Sequence, residues 1–214
     1  AVRLRKTVEG HAAGCRGERL SAYADSFPAD SIFLGVVDPT VGSEQRRPVI
    51  VKVDGRYFVG PDNGLFNVVA ARGSDAQCWE ISCRPDHLSA SFHGRDLFAP
   101  VAAQLACGEM PSVTAIASHI PSSAADDLYR IVYIDHYGNA ITGIRAKMLE
   151  VSASLLVAET LLTHARTFAD VPLGQAMWYE NANGLVEIAV NQGHAEDLLR
   201  LKLGDSVTIV SRSG

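Results

Sequence analysis

The amino-acid sequence predicts an α/β N-terminal domain with a mixed sheet, over residues 1–122, followed by a C-terminal all-β barrel domain over residues 124–214. Three observations predict this arrangement. Residues 31–37 form a continuous apolar run that is typical of a strand buried on both faces in a parallel sheet. A hairpin signal follows that run. Beyond residue 124 the chain consists of short, turn-bounded strands, which is the pattern of a small barrel or sandwich.

The elements of the first domain follow from apolar spacing and turn residues. Asp54-Gly55 is a tight hairpin turn between two β-rich stretches. Asp96 is the expected N-cap of a later helix, and Gly108 is its expected stop. In order, we expect a short helix at 18–24, strands at 31–37, 48–53 and 56–59, a helix at 65–72, a strand at 78–83 and a helix at 97–106.

Small and polar residues dominate positions 115–127, which predicts a linker between the two domains. The strands expected after this linker are each short, and a turn bounds each of them. They lie at 128–134, 140–144, 150–157, 177–180, 185–190 and 206–210.

Composition excludes several classes of protein. Of the 214 residues, 47% are hydrophobic and 20% are charged, so the chain has enough apolar surface to fold. The net charge is −5 and no block of Lys or Arg is present, which disfavours nucleic acid and anionic membranes as partners. No apolar run approaches the roughly 18 residues of a spanning helix, and no secretory signal precedes the first elements. The four cysteines match no zinc spacing, so we expect free thiols and a cytoplasmic protein.

Two polar loops of the first domain are candidate ligand sites. Asp38 directly follows a buried strand, and the carboxyl ends of such strands bind ligands in open α/β sheets. Arg46 and Arg47 follow in the same loop, and either can fold back on Asp38. Asp62 and Asn63 lie in the turn-rich stretch Pro-Asp-Asn-Gly and are expected to face the same cleft, although a purely structural turn remains the alternative.

Two further polar loops, one in each predicted domain, are also candidate ligand sites. His93, Arg95 and Asp96 lie within four residues just before a helix, and His suits proton transfer because it titrates near neutrality. Capping of the helix is the alternative for this group. Asp135, Tyr137 and Asn139 share one face if the chain there is extended, and they offer a carboxylate, a ring and an amide to a small polar ligand. A hairpin with incidental polar residues is the alternative for this stretch.

Several common sites do not occur in the sequence. We find no Gly-rich phosphate loop, no metal-ligand spacing and no nucleophile elbow. The polar loops therefore predict a site that binds a small polar molecule and activates a water, without a metal or a covalent enzyme intermediate.

Five motifs then occur in the order found in the S-adenosyl-L-methionine (SAM) hydroxide adenosyltransferases. The sequence resembles this family, which is related to the bacterial fluorinase and chlorinase, over about residues 27–210. The motifs are VVDPTVGSEQRRPVIV, FVGPDNGLF, SFHGRDLFAPVAAQLACG, YIDHYGNAITGI and ENANGLVEIAVNQGHAEDLL.

The resemblance implies an activity and an assembly. In this family water or hydroxide attacks C5′ of SAM and displaces methionine, leaving adenosine. SAM is then the substrate, and no cofactor is expected. The resemblance also implies an α/β domain and a β-barrel in each subunit of a homotrimer, with the substrate between the α/β domain of one subunit and the barrel of its neighbour.

The resemblance assigns roles to particular residues. Asp38, Arg46 and His93 match the proposed water-activating set, with Arg47 as the second choice for the arginine. The residues that match contacts to substrate in relatives are Asp135, Tyr137 and Asn139 at the methionine end and the base, and Asn181 at the adenine.

The sequence also departs from the family. The loop after Asp38 is longer, through Ser43-Glu44-Gln45, and Thr40 replaces a glycine. Residues 1–30 lack the Thr-Asp-Phe-Gly motif whose Asp holds the ribose hydroxyls, so we expect the family's opening segment to be missing. Two alternative functions stay open. They are a non-catalytic nucleoside-binding or SAM-binding protein, which the missing motif favours, and a SAM-dependent halogenase, which His93 disfavours.

Overall fold

The computed structural model describes residues 2–3, 13–38, 41–42, 46–117 and 121–210. For residues 2–3, 13–15 and 122 it describes the backbone alone. The chain divides into two compact units, residues 1–125 and 126–214.

Unit 1 combines helices with one sheet. A π-helical turn, Gly94–Phe98, leads into the third helix, and a 3₁₀ turn at Ser122–Ala125 ends the unit. The strands are β1 Val2–Arg3, β2 Ile32–Leu34, β3 Pro48–Val53, β4 Arg56–Pro61, β5 Ala76–Ile81 and β6 Val113–Ala115. The helices are α1 Ala13–Ala24, α2 Asn67–Arg72 and α3 Ala99–Ala106.

The sheet is mixed, as predicted, with the strand order β1-β2-β4-β3-β5-β6. Strand β2 pairs in parallel with β1 and β4, and the other neighbours are antiparallel. Apolar side chains cover both faces of the sheet. On one face Phe33, Val49, Val51 and Phe58 pack toward α1 and α2. On the other face Ile32, Ile50 and Val59 pack toward α3. This two-sided burial explains the continuous apolar runs in the sequence.

Strand β2 is shorter than predicted, because the chain leaves the ladder after Leu34. Gly35 and Gly60 permit a close approach at this point. A Cβ atom on Gly60 would lie 2.1 Å from the carbonyl oxygen of Gly35, a distance that no side chain tolerates. The backbone of Gly35 still donates a hydrogen bond to Val59, at 3.0 Å.

The β3–β4 hairpin confirms the turn predicted from Asp54-Gly55. Both residues have positive φ, 46° at Asp54 and 86° at Gly55, as a two-residue hairpin turn of this type requires. The Asp54 carboxylate also accepts the backbone amides of Ser74 and Asp75, at 3.0 and 3.1 Å.

Helix α3 begins later than predicted, and Asp96 is not its N-cap. Asp96 lies inside the π-helical turn, where its carboxylate accepts the backbone amide of Ser89 at 3.0 Å and pairs with Arg95 at 2.5 Å. The capping prediction was wrong because helical backbone already begins at Gly94, two residues before Asp96. The C-terminal prediction is confirmed, since Gly108 follows the helix with φ 80°.

Unit 2 consists of two antiparallel sheets and a short helix. Its strands are β7 Leu128–Ile134, β8 Ala140–Arg145, β9 Ser154–Val157, β10 Thr160–Leu162, β11 Ala176–Glu180, β12 Leu185–Val190 and β13 Thr208–Val210, and its helix is α4 Ala195–Leu199. The four-stranded sheet has the order β11-β12-β8-β7, and the three-stranded sheet has the order β10-β9-β13.

The predicted barrel is not confirmed: the described residues of unit 2 form two separate sheets instead of one closed barrel. Among the described residues, isolated bridges at Arg130–Ser206 and His164–Trp178 and neighbouring backbone hydrogen bonds, such as that from Val207 to Tyr129 at 2.9 Å, link the two sheets. Strands β9, β10 and β13 have three or four residues each, so the second sheet is small. The sheets share one apolar core that includes Ile131, Leu155, Leu162, Trp178 and Ile188.

Candidate active site

The loop after β2 carries Asp38, and Asn63 holds this loop in place. The Asn63 amide donates to the carbonyl oxygen of Val37 at 2.6 Å, and its Oδ1 accepts the backbone amide of Leu65 at 3.3 Å. Asn63 therefore joins the Pro-Asp-Asn-Gly loop to the backbone directly before Asp38. The sequence predicted a ligand contact at Asn63, and the structure places its side chain against protein backbone.

Arg46 folds back onto Asp38 and forms an ion pair with it. The two side chains are 5% and 4% exposed, so the pair is almost completely withdrawn from solvent. Removing one partner of such a buried pair strongly destabilises the folded protein, because the remaining charge is left buried without an opposite charge. The sequence left Arg46 and Arg47 as alternatives, and the structure places Arg46 against Asp38.

Arg47 instead pairs with Asp62, at 3.1 Å. Their side chains are 40% and 39% exposed, so the pair lies at the surface and contributes little to stability. This arrangement gives Asp62 a cationic partner within its own unit.

His93 completes a cluster with Asp38 and Arg46, since its Nδ1 lies 3.5 Å from Nη2 of Arg46. A guanidinium only donates hydrogen bonds, so Nδ1 is the acceptor in this contact and the proton of the neutral ring is on Nε2. The Cζ atom of Arg46 also lies 6.0 Å from the centre of the Phe98 ring. Asp38 and Arg46 come from one loop and His93 from another, and the structure brings the three side chains together.

A cleft of about 470 Å³ opens beside this cluster. Its volume lies within the range of small-molecule sites. Arg46 and His93 line it together with Arg47, Glu80, Arg84 and Leu88. Sequence reasoning missed Glu80 and Arg84, although a charged residue between Trp79 and Ile81 of β5 was a usable signal. The Arg84 guanidinium is fixed by hydrogen bonds to the carbonyl oxygens of Ile81 and Cys83, at 2.7 and 3.1 Å.

Cys78 lines a smaller cavity of about 70 Å³ that Arg47 and Asp62 also line. Burial, with a smaller contribution from the Asp62 carboxylate, raises the pKa of the Cys78 thiol to about 11. The thiol is therefore protonated at neutral pH and is a poor nucleophile. Cys83 and Cys107 are also free thiols, and the side chain of Cys15 lies outside the described residues.

In unit 2, the turn between β7 and β8 carries Asp135, Tyr137 and Asn139. These residues do not share the face of an extended strand, so that expectation was wrong. Gly138 has φ 73°, and the Asp135 carboxylate accepts the backbone amides of Tyr137 and Asn139 at 2.8 and 2.9 Å. The Asp135 side chain therefore builds the turn, while the ring of Tyr137 is 71% exposed.

Asn181 belongs to a network around a buried carboxylate. Its Nδ2 donates to Oε2 of Glu187 at 3.0 Å, and the Tyr179 hydroxyl donates to Oε1 of Glu187 at 2.5 Å. Sequence reasoning named Asn181 and missed Tyr179 and Glu187. The available signal was the single charged residue in the apolar strand Leu-Val-Glu-Ile-Ala-Val.

Comparison with known proteins identifies the family. The model of the SAM hydroxide adenosyltransferase N-terminal domain matches residues 11–115, and that of the C-terminal domain matches residues 129–208. The chain belongs to the SAM hydroxide adenosyltransferase family. This membership confirms the resemblance seen in the sequence.

Curated relatives and solved structures are similar to almost the whole chain. An (R)-S-adenosyl-L-methionine hydrolase from Salinispora arenicola is 34% identical, over 92% of this chain and 81% of its own length. One with the same name from Thermus thermophilus is 34% identical, over 94% of this chain and 86% of its own length. The crystal structure of an uncharacterized conserved protein from Thermotoga maritima superposes with a TM-score of 0.80 at 29% identity, covering 95% of this chain and 87% of that chain.

Two kinds of feature are absent from the part of the chain that the structure describes. In that part, no group of three or more His, Cys, Asp or Glu side chains is arranged to hold a metal ion. Within the same residues, no helix is long and apolar enough to cross a membrane.

Proposed function

We propose that this protein hydrolyses S-adenosyl-L-methionine to adenosine and L-methionine by attack of water or hydroxide at C5′. The observation that carries the proposal is the meeting of Asp38, Arg46 and His93 beside a cleft of ligand size. The names of the curated relatives support the same reaction.

The reaction suits a site with these groups. A bond forms between the water oxygen and C5′, the C5′–S bond breaks, and its electron pair leaves with sulfur as the neutral thioether of methionine. The proton that the water loses passes to solvent, and where hydroxide is the nucleophile this proton has left before the attack. No general acid is needed, because the leaving group departs from a sulfonium. The main difficulty of the reaction is that water is a weak nucleophile. Attack by hydroxide on the sulfonium cation becomes more favourable in a site that excludes bulk water.

In this proposal Arg46 and His93 hold the nucleophile. Because Nδ1 of His93 accepts from Arg46, Nε2–H donates to the oxygen of the attacking water or hydroxide. The Arg46 cation stabilises the developing hydroxide, and Asp38 fixes the guanidinium in its orientation. Correct positioning in line with the C5′–S bond supplies several kcal/mol of the barrier, about the scale known for intramolecular reactions.

Substrate binding is proposed for a second group of residues. Tyr137 presents an exposed ring that suits stacking on the base, and Asn139 and Asp135 hold that turn in shape. We keep Asp62, Asn63 and Asn181 as substrate-binding candidates, with Asn63 acting through the backbone before Asp38. The family resemblance supports the assignments of Asp135, Tyr137, Asn139 and Asn181, and the position of the Pro-Asp-Asn-Gly loop supports those of Asp62 and Asn63.

We further propose a homotrimer in which residues 1–125 of one subunit and residues 126–214 of the next enclose the substrate, as the resemblance implies. The chemistry described above needs neither metal nor cofactor. The free thiols of Cys78, Cys83 and Cys107 support a reducing compartment, and the cytoplasm is the proposed location.

Incubation with SAM in ¹⁸O-labelled water tests the proposal. We expect equimolar adenosine and methionine, with the label in the 5′-hydroxyl of adenosine. Label found elsewhere, or SAM binding without turnover, would contradict hydrolysis at C5′, and the second result would favour the non-catalytic alternative. Addition of chloride or fluoride checks the halogenase alternative, for which 5′-halo-5′-deoxyadenosine is the diagnostic product.

A further inference from the structure

Residues 82–92 form a segment without regular secondary structure between β5 and the π-helical turn, and we call it the cleft-wall segment. Leu88 and Ala90 of this segment line the cleft, and His93, which also lines it, follows the segment directly. The side chain of Leu88 packs in addition against the core cluster that contains Phe98. One short stretch of chain therefore carries both a wall of the cleft and the imidazole of the candidate active site.

Asp96 holds the cleft-wall segment at the residue between Leu88 and Ala90. Its Oδ2 accepts the backbone amide of Ser89 at 3.0 Å, and its side chain is 13% exposed. The Arg95 guanidinium donates to the same carboxylate from Nε at 2.5 Å and from Nη2 at 3.0 Å. Hydrogen bonds from Arg95 and from the Ser89 amide lower the pKa of the Asp96 carboxyl, so it is ionised at neutral pH and acts only as an acceptor.

The opposite side of the cleft meets this wall at Gly42. A Cβ atom on Gly42 would lie 2.7 Å from the carbonyl oxygen of Ala90, so the two residues are in close backbone contact. Gly42 lies in the loop between Asp38 and Arg46, and both Gly42 and Ala90 line the cleft. A displacement of Ala90 therefore changes the width of the cleft beside the cluster of Asp38, Arg46 and His93.

We propose that Asp96 is a positioning residue for the hydrolysis, which holds Leu88 and Ala90 in place through the Ser89 amide and thereby restricts the nucleophile to water or hydroxide. A closed wall excludes bulk water, and this strengthens the attraction between the nucleophile and the sulfonium cation. A displaced wall gives a larger nucleophile access to the same place. The inference rests on the proposed function, because the reaction concerned is attack at C5′ of SAM.

Methanol is the probe for the wall, because it is a water molecule enlarged by one methyl group. Its oxygen forms the bond to C5′, the C5′–S bond breaks with its electron pair on sulfur, and the hydroxyl proton passes to solvent. The products of this step are 5′-O-methyladenosine and methionine. In dilute methanol, wild type is expected to form adenosine with almost no methyl ether, because the wall leaves little room beside the attacking oxygen.

Two variants of Asp96 test the hydrogen bond to Ser89. Asp96→Ala removes the acceptor, so we expect kcat/KM for SAM to fall by about 10²-fold, the scale known for a misplacement of about 1 Å in an active site. The share of 5′-O-methyladenosine should rise severalfold. Asp96→Asn keeps an amide oxygen for the Ser89 N–H and should retain the wild-type product ratio and most of kcat/KM. A defect of folding alone lowers the amount of active enzyme and leaves KM and the product ratio unchanged.

Asp54→Ala is the matched control. Asp54 also accepts backbone amides, those of Ser74 and Asp75, at 3.0 and 3.1 Å. It lies beyond the Val53 end of β3, whereas Pro48 at the other end of that strand lines the cleft. We expect Asp54→Ala to lower Tm and to leave KM for SAM and the product ratio unchanged.

Gly42→Ala displaces the wall from the opposite side without a change at Asp96. Its new methyl group meets the carbonyl oxygen of Ala90, so the share of methyl ether should rise in this variant too. This result decides the matter if Asp96→Ala fails to fold. Hydrogen exchange at the Ser89 amide reports the bond without any need for activity, and it should be faster in Asp96→Ala than in wild type and Asp96→Asn.

The outcomes separate the inference from the proposed function. If wild type hydrolyses SAM and a folded Asp96→Ala keeps its KM and product ratio, the inference is wrong and the proposed function stands. Equal losses in Asp96→Ala and Asp96→Asn would also overturn the inference, because the charge and not the bond to Ser89 would then be what matters. A wild type that releases no adenosine from SAM would overturn the proposed function, and the inference with it.

Discussion

Asp38 and Arg46 form an ion pair in which neither side chain is more than 5% exposed. The carboxylate follows the parallel strand β2, and the guanidinium returns from the far end of the loop before β3. Such a pair contributes little net stability compared with apolar residues, but it holds both groups in one geometry. That geometry presents Arg46 to His93 and to the cleft.

Loss of one partner of this pair is expected to be severe. Arg46→Met leaves the Asp38 carboxylate buried without its cation, so the free energy of unfolding should fall by about 3–5 kcal/mol and hydrolysis should be lost. The double variant Asp38→Asn/Arg46→Met carries no buried charge there and should regain most of the stability but no activity. Urea denaturation and adenosine release measure the two effects.

Arg47→Met is the matched control for this experiment. Its partner Asp62 is about as exposed as Arg47 itself, and surface pairs contribute about 1 kcal/mol or less. A larger loss of stability for Arg47→Met than for Arg46→Met would show that the wrong arginine has been placed in the buried pair.

His93 variants distinguish the two ring nitrogens. A glutamine amide reaches the position of Nε2, and an asparagine amide reaches the position of Nδ1. If Nε2–H donates to the nucleophile, His93→Ala and His93→Asn should lower kcat by about 10²-fold or more, the scale known for loss of one positioned hydrogen-bond donor, whereas His93→Gln should retain more activity. Steady-state kinetics with SAM give the comparison. A His93→Asn variant more active than His93→Gln would assign the role to Nδ1, and an unchanged kcat in His93→Ala would remove His93 from the mechanism.

Cys78 makes stability depend on alkaline pH. Its pKa in the folded chain is about 11, against an ordinary value of 9.0. Between these two values the unfolded chain has lost the thiol proton and the folded chain still binds it, so stability falls as the pH rises from about 9 to about 11. Cys78→Ser should show a flatter decline over that interval in urea titrations. Cys107→Ser is the control, because Cys107 is exposed, and an equal flattening in that variant would contradict the assignment to Cys78.

Local signals decided which elements could be read from the sequence. Asp54-Gly55 carries the chemistry of its turn, so the β3–β4 hairpin was predictable. The turn between β9 and β10 has the same left-handed backbone at Ala158 and Glu159, with φ 46° and 65°. Alanine and glutamate are not typical residues of such a turn, so the sequence did not predict the turn or the strand β10 that follows it.

The candidate site was predictable where its residues adjoin predicted elements, as Asp38 and His93 do. The expectation for the 135–139 stretch was wrong because a period of two holds only for extended backbone, and Gly138 turns the chain there. Glu187 was visible as a charge in an apolar strand, but its partner Tyr179 follows from the β11–β12 register, which sequence alone does not determine.

Tyr137 provides a test of substrate binding that is separate from the chemistry of the cluster around Arg46. Its ring is 71% exposed, so its removal takes little apolar surface out of the folded core. If the ring stacks on the base, Tyr137→Ala should raise KM for SAM by about tenfold, on the scale of 1–3 kcal/mol per stacked base, with kcat and Tm nearly unchanged. Tyr137→Phe keeps the ring and should behave like wild type, because stacking does not need the hydroxyl. A KM in Tyr137→Ala equal to that of wild type would show that the base lies elsewhere, whereas a KM that rises equally in both variants would assign the contact to the hydroxyl instead of the ring.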